Sequence, residues 1–236
     1  MPTDIKIAGW QKTSFIDFPG TVSTVLFLSG CNLRCPYCHN PDIVNGTFEP
    51  ALFDEVRECV VRRRGLIDGI EGAVVSGGEP SIYSGLKNLC DELKALGLKV
   101  KIDTNGLEPE AVAGCNPDYV ALDVKTSFEK YSLLNIPPNY DDIRGRLRLS
   151  IDMVRRMGGS AEVRITAVPG IVDRKDIESL AQELAGVKKV FIQQFEPAPL
   201  MLDPAYKSVK PYPIEELEVW RGIFFRASID CVIRGR

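Results

Sequence analysis

Residues 21–40 read TVSTVLFLSGCNLRCPYCHN: a β-branched apolar run that stops at Gly30, followed by three cysteines and the chain's single histidine. The first half has the near-continuous hydrophobicity of a strand buried on both faces of a parallel sheet. The second half is polar and begins where the strand ends. The same order recurs along the chain. GAVVSGG (72–78) runs into Glu79 and Pro80, LKVKIDTNG (98–106) ends in Asp103, Thr104, Asn105 and Gly106, and YVALDVK (119–125) carries Asp123 and Lys125. AEVRITAVPG (161–170) contains Arg164, and KVFIQQFEP (189–197) contains Gln193 and Gln194. Between these runs lie helical patterns: FEPALFDEVRECVVRRRG (48–65), with Pro50 near its start and Gly65 past its end, GLKNLCDELKALG (85–97) and RLRLSIDMVRRMG (146–158). The polar stretch PPNYDD (137–142) reads as a loop leading into the last of them.

Strands alternating with helices signal βα units and a parallel sheet. The expected fold is α/β: a partial (β/α)6 TIM-like barrel over about 21–196, with a C-terminal helix/strand extension over about 197–236, the whole of 1–236 forming one domain. In such a barrel the C-terminal ends of the strands share one face, where these folds place their chemistry. Ordinary strand-to-loop turns would account for the glycines and asparagines at those ends. They do not account for two acids, a lysine and an arginine.

The 236 residues suffice for one substantial core. With 29 Lys+Arg against 32 Asp+Glu the net charge is −3, so no overall basic field invites nucleic acid or an anionic membrane. The one basic run, Arg62, Arg63 and Arg64, precedes Gly65 and reads as the dipole-compensated end of a helix. The N-terminus shows no apolar segment flanked by a cleavage site, and no run approaches the ~18 apolar residues of a membrane span. A cytoplasmic protein is expected, in which seven cysteines serve as thiols or metal ligands. Cys59 and Cys90 sit among helically spaced apolar residues and read as core. Cys231 falls in an apolar stretch and Cys115 in a turn-like segment.

Three thiolates in a Cys-x3-Cys-x2-Cys loop can each hold one iron of a cubic 4Fe-4S cluster, whose full ligation takes four cysteines. One iron is left open to bind a small molecule, and an amino acid's amine and carboxylate would suit it. Two competing readings use the same residues. Cys35 to His39 also fits the C-x-x-C-H pattern of haem attachment, which would require export. A Cys3His zinc knuckle matches by ligand count, but the adjacent Cys38 and His39 would strain a shared tetrahedron.

Cys31-x3-Cys35-x2-Cys38 with Tyr37 before the last cysteine, together with Gly77-Gly78-Glu79-Pro80 at the end of the second strand, resembles the radical S-adenosylmethionine superfamily. QKTSFIDFPG (11–20), GCNLRCPYCHNP (30–41) and DTNG (103–106) resemble the glycyl radical enzyme activating proteins. Among these the longer form of the anaerobic ribonucleoside-triphosphate reductase activating protein is most similar, with pyruvate formate-lyase activating enzyme close to it. The resemblance implies one 4Fe-4S cluster held by Cys31, Cys35 and Cys38, with S-adenosylmethionine chelating the open iron. Glu79 and the backbone of Gly77 and Gly78 would take the methionyl amine, Tyr37 the adenine, and Lys125 the carboxylate. His39 belongs to the same implied cofactor set. Arg164 matches an arginine near the methionine end. Asp103, Thr104 and Asp123 match positions that hold a monovalent cation in the pyruvate formate-lyase relatives. Asp123 and Lys125 could equally pair with each other at the rim, and Arg164 could be a surface residue.

One departure stands out. Where that relative has a ribose-contacting histidine, this chain has QQFEP (193–197), so Gln194 or Glu196 would replace it, which favours the reductase branch. The implied reaction is one-electron cleavage of S-adenosylmethionine to methionine and a 5′-deoxyadenosyl radical, which abstracts hydrogen from a glycine of a partner enzyme. That partner is a glycyl radical enzyme, with anaerobic ribonucleotide reductase favoured. A low-potential donor such as flavodoxin or ferredoxin supplies the electron. The alternatives are a radical enzyme acting on a small molecule, such as a carboxy-deazaguanine synthase, and a cluster- or zinc-binding scaffold without catalysis.

Overall fold

A computed structural model of the chain describes residues 5–63, 69–138 and 140–235. In chain order the elements are β1 (Ile7–Ser14), β2 (Ser23–Leu28), α1 (Pro41–Asn45), α2 (Phe53–Arg63), β3 (Gly72–Gly77), α3 (Leu86–Ala95), β4 (Lys99–Thr104) and α4 (Pro109–Gly114). There follow β5 (Tyr119–Asp123), α5 (Ile143–Met157), β6 (Ala161–Ala167), α6 (Arg174–Glu183), β7 (Lys189–Gln194), α7 (Ile214–Arg226) and β8 (Asp230–Arg234). The strands follow one another in a single eight-stranded, unclosed sheet in the order β1 to β8. The six expected barrel strands are β2 to β7. They are flanked by β1, which runs antiparallel to β2, and by β8, the strand of the expected extension, which runs parallel to β7. Among the described residues no helix is long and apolar enough to cross a membrane.

Contacts divide the chain into two compact units. The first comprises Met1–Cys31, Asp42–Thr104 and Glu110–Val120. Its strands β2, β3 and β4 are parallel and in register, with Val25 beside Val74 and Val74 beside Lys101. Side chains of paired residues point to the same face of a sheet. On this face Val25 and Val74 form a core with Phe18, Tyr119 and the partly buried Phe27. Helix α3 packs against β4 and buries Leu86, Leu89, Cys90 and Leu93, at the i, i+3, i+4, i+7 spacing of an apolar stripe.

The second unit comprises Asn32–Pro41, Asn105–Pro109 and Ala121–Arg236. Here β6, β7 and β8 are parallel, Arg164 lying beside Phe191 and Phe191 beside Val232. Helix α6 begins at a reciprocal capping box of Asp173 and Asp176. Helix α7 buries Leu217, Trp220 and Phe224, and the Trp220 indole donates to Glu216 at 2.8 Å.

One cysteine assignment changes, and Cys115 lies in a turn as expected. Cys90 is buried as expected, but Cys59 is only half-buried, because Val56 and Val60 take the inward face of α2. Cys115 lies beside Cys90, and the interaction of the two thiols raises Cys90 and lowers Cys115, while Cys115 Sγ donates to Ala111 O at 3.2 Å. The basic end of α2 keeps Arg62 and Arg63 in its last turn, while Arg64 and Gly65 fall outside the described residues.

Candidate active site

In the first unit the site edge is built by two glycines. Gly77 has φ +114°, and a Cβ there would lie 2.4 Å from the backbone N and O of Leu28. A Cβ on Gly78 would lie 1.8 Å from the Gly30 carbonyl oxygen. Only glycine permits so close an approach. The ends of β2 and β3 therefore continue to pair past the sheet, with Gly78 N donating to Leu28 O at 2.8 Å and Glu79 N to Gly30 O at 2.9 Å. The residue that receives this second bond immediately precedes Cys31, so the Gly-Gly-Glu motif braces the start of the cysteine loop.

Glu79 is 1% exposed. Its Oε1 accepts from Ser81 N at 3.0 Å, Ser81 Oγ at 2.5 Å and Thr104 Oγ1 at 2.9 Å. The carboxylate thus caps the turn Pro80–Ile82 and ties β3 to the end of β4. Asp103, on the opposite side of β4 from Thr104, receives Lys101 Nζ on Oδ1 at 2.5 Å and Ser76 Oγ on Oδ2 at 3.2 Å.

In the second unit the cysteine loop is held from three sides. Cys38 N donates to Cys35 O at 3.0 Å, closing a turn. A strap from the C-terminal extension adds Leu202 N to Cys38 O at 3.0 Å and Asp203 N to Pro36 O at 2.8 Å. Asn105 Nδ2 donates to Asn32 Oδ1 at 2.7 Å, and Asn32 Nδ2 donates to Tyr140 Oη at 2.8 Å. Rings complete the support: Tyr37 lies 6.3 Å from Tyr206, Tyr206 6.4 Å from Phe195, and Phe195 6.5 Å from the exposed His39.

The charged centre of this unit is Asp123, whose Oδ1 accepts from Arg164 Nε at 2.6 Å and whose Oδ2 accepts from Lys125 Nζ at 2.9 Å. Burial alone would raise the Asp123 carboxyl, but the two cations overcome it and hold the group well below the usual carboxylate range. Burial would likewise lower Lys125. Asp123 and the nearby Cys35 overcome that and raise it. Burial pushes the Cys35 thiol up, with Cys38 and Asp123 adding to it, while Lys125 opposes them by favouring the thiolate. The Tyr37 hydroxyl is buried within reach of the Cys35 sulfur yet makes no well-formed hydrogen bond. Gln194 spends both ends of its amide on backbone: Nε2 donates to Tyr212 O at 2.8 Å, and Oε1 accepts from Phe195 N at 3.0 Å.

Within the first unit the structure brings together Gly77, Gly78, Glu79 and Thr104, with Asp103 on Lys101. Within the second it brings together Cys35, Tyr37, Asp123, Lys125 and Arg164, and leaves Gln194, at the end of β7, bonded to Tyr212 of the C-terminal extension. Arg164, read as a strand-end residue, lies in the middle of β6 and reaches Asp123 from there. The roles of Asn32, Asn105, Tyr140, Lys101 and Tyr206 were not anticipated. An amide in each of two loops, and a lysine inside an apolar run, are the signals that could have found the first two and Lys101.

Among the described residues no three His, Cys, Asp or Glu side chains converge as ligands of a single ion. The orphaned Tyr37 hydroxyl and the ammonium beside Cys35 suit a thiolate-bound group at this loop.

The profile of the Radical SAM superfamily matches residues 25–184. The chain is 33% identical to a candidate glycyl-radical enzyme activating enzyme of Methanocaldococcus jannaschii, over 96% of this chain and 94% of that protein. It is 31% identical to the pyruvate formate-lyase-activating enzyme of Staphylococcus epidermidis, over 88% of this chain and 87% of that protein. Among solved structures, a domain of a pyruvate-formate lyase-activating enzyme from Bacteroides vulgatus shares the fold at TM-score 0.50 and 18% identity, covering 70% of this chain and 99% of that one. The chain belongs to the radical SAM superfamily and, within it, to the glycyl-radical enzyme activating enzymes. Membership implies a 4Fe-4S cluster, S-adenosylmethionine and a glycyl radical enzyme as partner.

Proposed function

We propose that this enzyme installs the glycyl radical of an anaerobic ribonucleoside-triphosphate reductase, using a single 4Fe-4S cluster on Cys31, Cys35 and Cys38. The observation that carries the cluster assignment is the clamped cysteine loop itself, which Asn105 holds at Asn32 and the 202–203 strap holds at Pro36 and Cys38, with the Tyr37 hydroxyl buried in it without a hydrogen-bond partner. When bound, the cluster supplies the electron that cleaves S-adenosylmethionine to methionine and a 5′-deoxyadenosyl radical. The chain's own residues bind and orient. Glu79 and the carbonyls of Gly77 and Gly78 take the ammonium end, because a buried charged donor needs a carboxylate or bare carbonyls. Lys125 and Arg164 take the carboxylate, and Tyr37 and His39 flank the adenine. Gln194 would release Tyr212 O to reach the ribose. Asp103 and Thr104 in the first unit and Asp123 in the second are the remaining cofactor-binding residues, each by resemblance to the pyruvate formate-lyase relatives a candidate ligand of a monovalent cation. A cytoplasmic flavodoxin or ferredoxin is the proposed electron donor.

The reductase assignment rests on QQFEP (193–197), where the pyruvate formate-lyase relatives carry a histidine. The test is anaerobic reconstitution. Wild type should bind about four irons, and Cys31→Ala, Cys35→Ala and Cys38→Ala should each lose the cluster. Full iron in any one of these sinks the ligand assignment. Mixing with candidate partners, reductant and S-adenosylmethionine should give a carbon-centred doublet in electron paramagnetic resonance, located on the reductase. A doublet on pyruvate formate-lyase instead would reassign the partner. If 5′-deoxyadenosine forms with no doublet on either, while a small molecule is consumed, the activase reading fails.

A further inference from the structure

Tyr37 is tied down on both sides, yet its hydroxyl has no well-formed hydrogen bond. A turn closed by Cys38 N on Cys35 O at 3.0 Å sets it two residues from the Cys35 thiol. The strap grips its two neighbours, through Asp203 N on Pro36 O at 2.8 Å and Leu202 N on Cys38 O at 3.0 Å, and the Tyr206 ring lies 6.3 Å from its own. The residue is 7% exposed. A buried hydroxyl without a partner is costly, and native proteins rarely keep one without a use. The groups whose charge reaches it are Cys35, Tyr131, Asp123 and Cys38. Asp123 already has Arg164 on one oxygen and Lys125 on the other, and the Tyr131 oxygen accepts from Lys125 N at 3.1 Å. Cys35, within reach of the hydroxyl, is the neighbour whose capacity changes.

A thiol sulfur is a weak acceptor, whereas a sulfur that carries negative charge accepts strongly. Iron binding takes the proton from a cysteine and leaves that charge on its sulfur. A donor that is idle in the cluster-free chain then has an acceptor beside it. We propose that Tyr37 is a positioning residue whose hydroxyl donates to the Cys35 sulfur once that sulfur ligates iron, and so tunes the potential of the cluster. Hydrogen bonds to cluster sulfurs favour the reduced, more negative form, which makes the cluster easier for a low-potential donor to reduce. Flanking the adenine engages the ring of Tyr37 and not its hydroxyl, so the two roles are compatible. The proposal rests on the cluster reading of this loop, but not on the identity of the partner enzyme.

The experiment compares wild type with Tyr37→Phe, first cluster-free and then anaerobically reconstituted. Without the cluster the hydroxyl has no partner, so Tyr37→Phe should unfold at the midpoint of wild type or above it. With the cluster bound, a redox titration followed by electron paramagnetic resonance should show a lower midpoint potential in Tyr37→Phe. Electron nuclear double resonance of the reduced wild-type cluster should show a coupled proton that exchanges in deuterium oxide and is missing from the variant. Replacing Tyr37 by meta-fluorotyrosine, a stronger donor of nearly the same shape, should move the potential the other way, and this protein decides the matter if Tyr37→Phe holds no cluster. A potential equal to that of wild type in both variants makes the proposal wrong. So does a Tyr37→Phe chain that loses stability without its cluster while the coupled proton remains, which would make the hydroxyl a structural partner. An unchanged potential with a raised KM for S-adenosylmethionine would assign the hydroxyl to the cofactor and equally overturn it. Failure of the cluster reading itself shows separately, as full iron in Cys35→Ala, and would remove the acceptor on which the proposal depends. An absent doublet on a partner enzyme touches neither the potential nor the coupled proton.

Discussion

Glu79 is asked to do two things, and two substitutions separate them. Its Oε1 accepts three hydrogen bonds in a site that is 1% exposed, so Glu79→Ala would leave the Ser81 N–H and the Ser81 and Thr104 hydroxyls without that acceptor. Each buried donor left unsatisfied costs about 1–3 kcal/mol. The hydroxyls can rotate, which leaves the backbone N–H as the firm loss, and removing a buried charge returns part of the total. A net cost of about 3 kcal/mol is expected, lowering the melting temperature of a chain this size by roughly 6–12 °C. Glu79→Gln keeps an oxygen in the same place and should cost about 1 kcal/mol.

Cofactor affinity behaves differently. The ammonium end of S-adenosylmethionine would lose its charge-assisted contact in both variants, worth about 1.5–3 kcal/mol or roughly ten- to hundredfold in affinity. Calorimetric melting of the cluster-free chain gives the first quantity, and equilibrium binding to the anaerobically reconstituted enzyme gives the second. Near-wild-type stability with a tenfold or greater loss of affinity in Glu79→Gln is the signature of a binding carboxylate. Wild-type affinity in Glu79→Gln, with only stability lost in Glu79→Ala, would refute that role and leave Glu79 as a cap for Pro80–Ile82.

Gly78→Ala should be far more damaging than its size suggests, because the new methyl would fall on the Gly30 carbonyl and part β2 from β3. A loss above about 3 kcal/mol is expected by chemical denaturation, against about 0.5 kcal/mol or less for Gly114→Ala, which meets open space. Asp123→Asn should cost about 2–3 kcal/mol at neutral pH, below the ~3–5 kcal/mol of a fully buried pair because the carboxyl is 23% exposed. Asp123 has a depressed folded pKa, so its contribution is complete above the ordinary carboxylate range and is lost as pH falls through that range and below. The variant's stability should therefore decline less steeply than that of wild type between about pH 5 and 2, and parallel acid curves would contradict the paired arrangement.

The strands were legible because their apolar runs end abruptly in polar motifs, and β2 to β7 lie where those runs predict. β1 was not. IAGWQKTS (7–14) alternates irregularly, and the structure shows why: its pairing with β2 slips between Ile7 and Gly9 and again between Gln11 and Ser14, so no single face stays buried. Helix α6 carries a start signal in Asp173 and Asp176, but the second acid is an aspartate where the usual box has Glu or Gln. At the site, residue types announced the cysteines, Glu79, Asp103 and Asp123. What they could not announce was partnership. Asn105 reaches Asn32 across 73 positions and Arg164 reaches Asp123 across 41, and such pairings exist only once the strands are in register. The bland reading of Asp123 with Lys125 as a rim salt bridge describes a contact that is present at 2.9 Å, and it does not compete with a cofactor role.

The pairings also fix what binding can gain. Each acid and base expected to meet the cofactor already has an internal partner, so S-adenosylmethionine would exchange contacts, and every charged contact would yield only the difference between two good hydrogen bonds. In the second unit Asp123 stands between Lys125 and Arg164, two cations on one carboxylate, so a carboxylate brought to them would meet an ammonium and a guanidinium that are already oriented and would have to win them from Asp123.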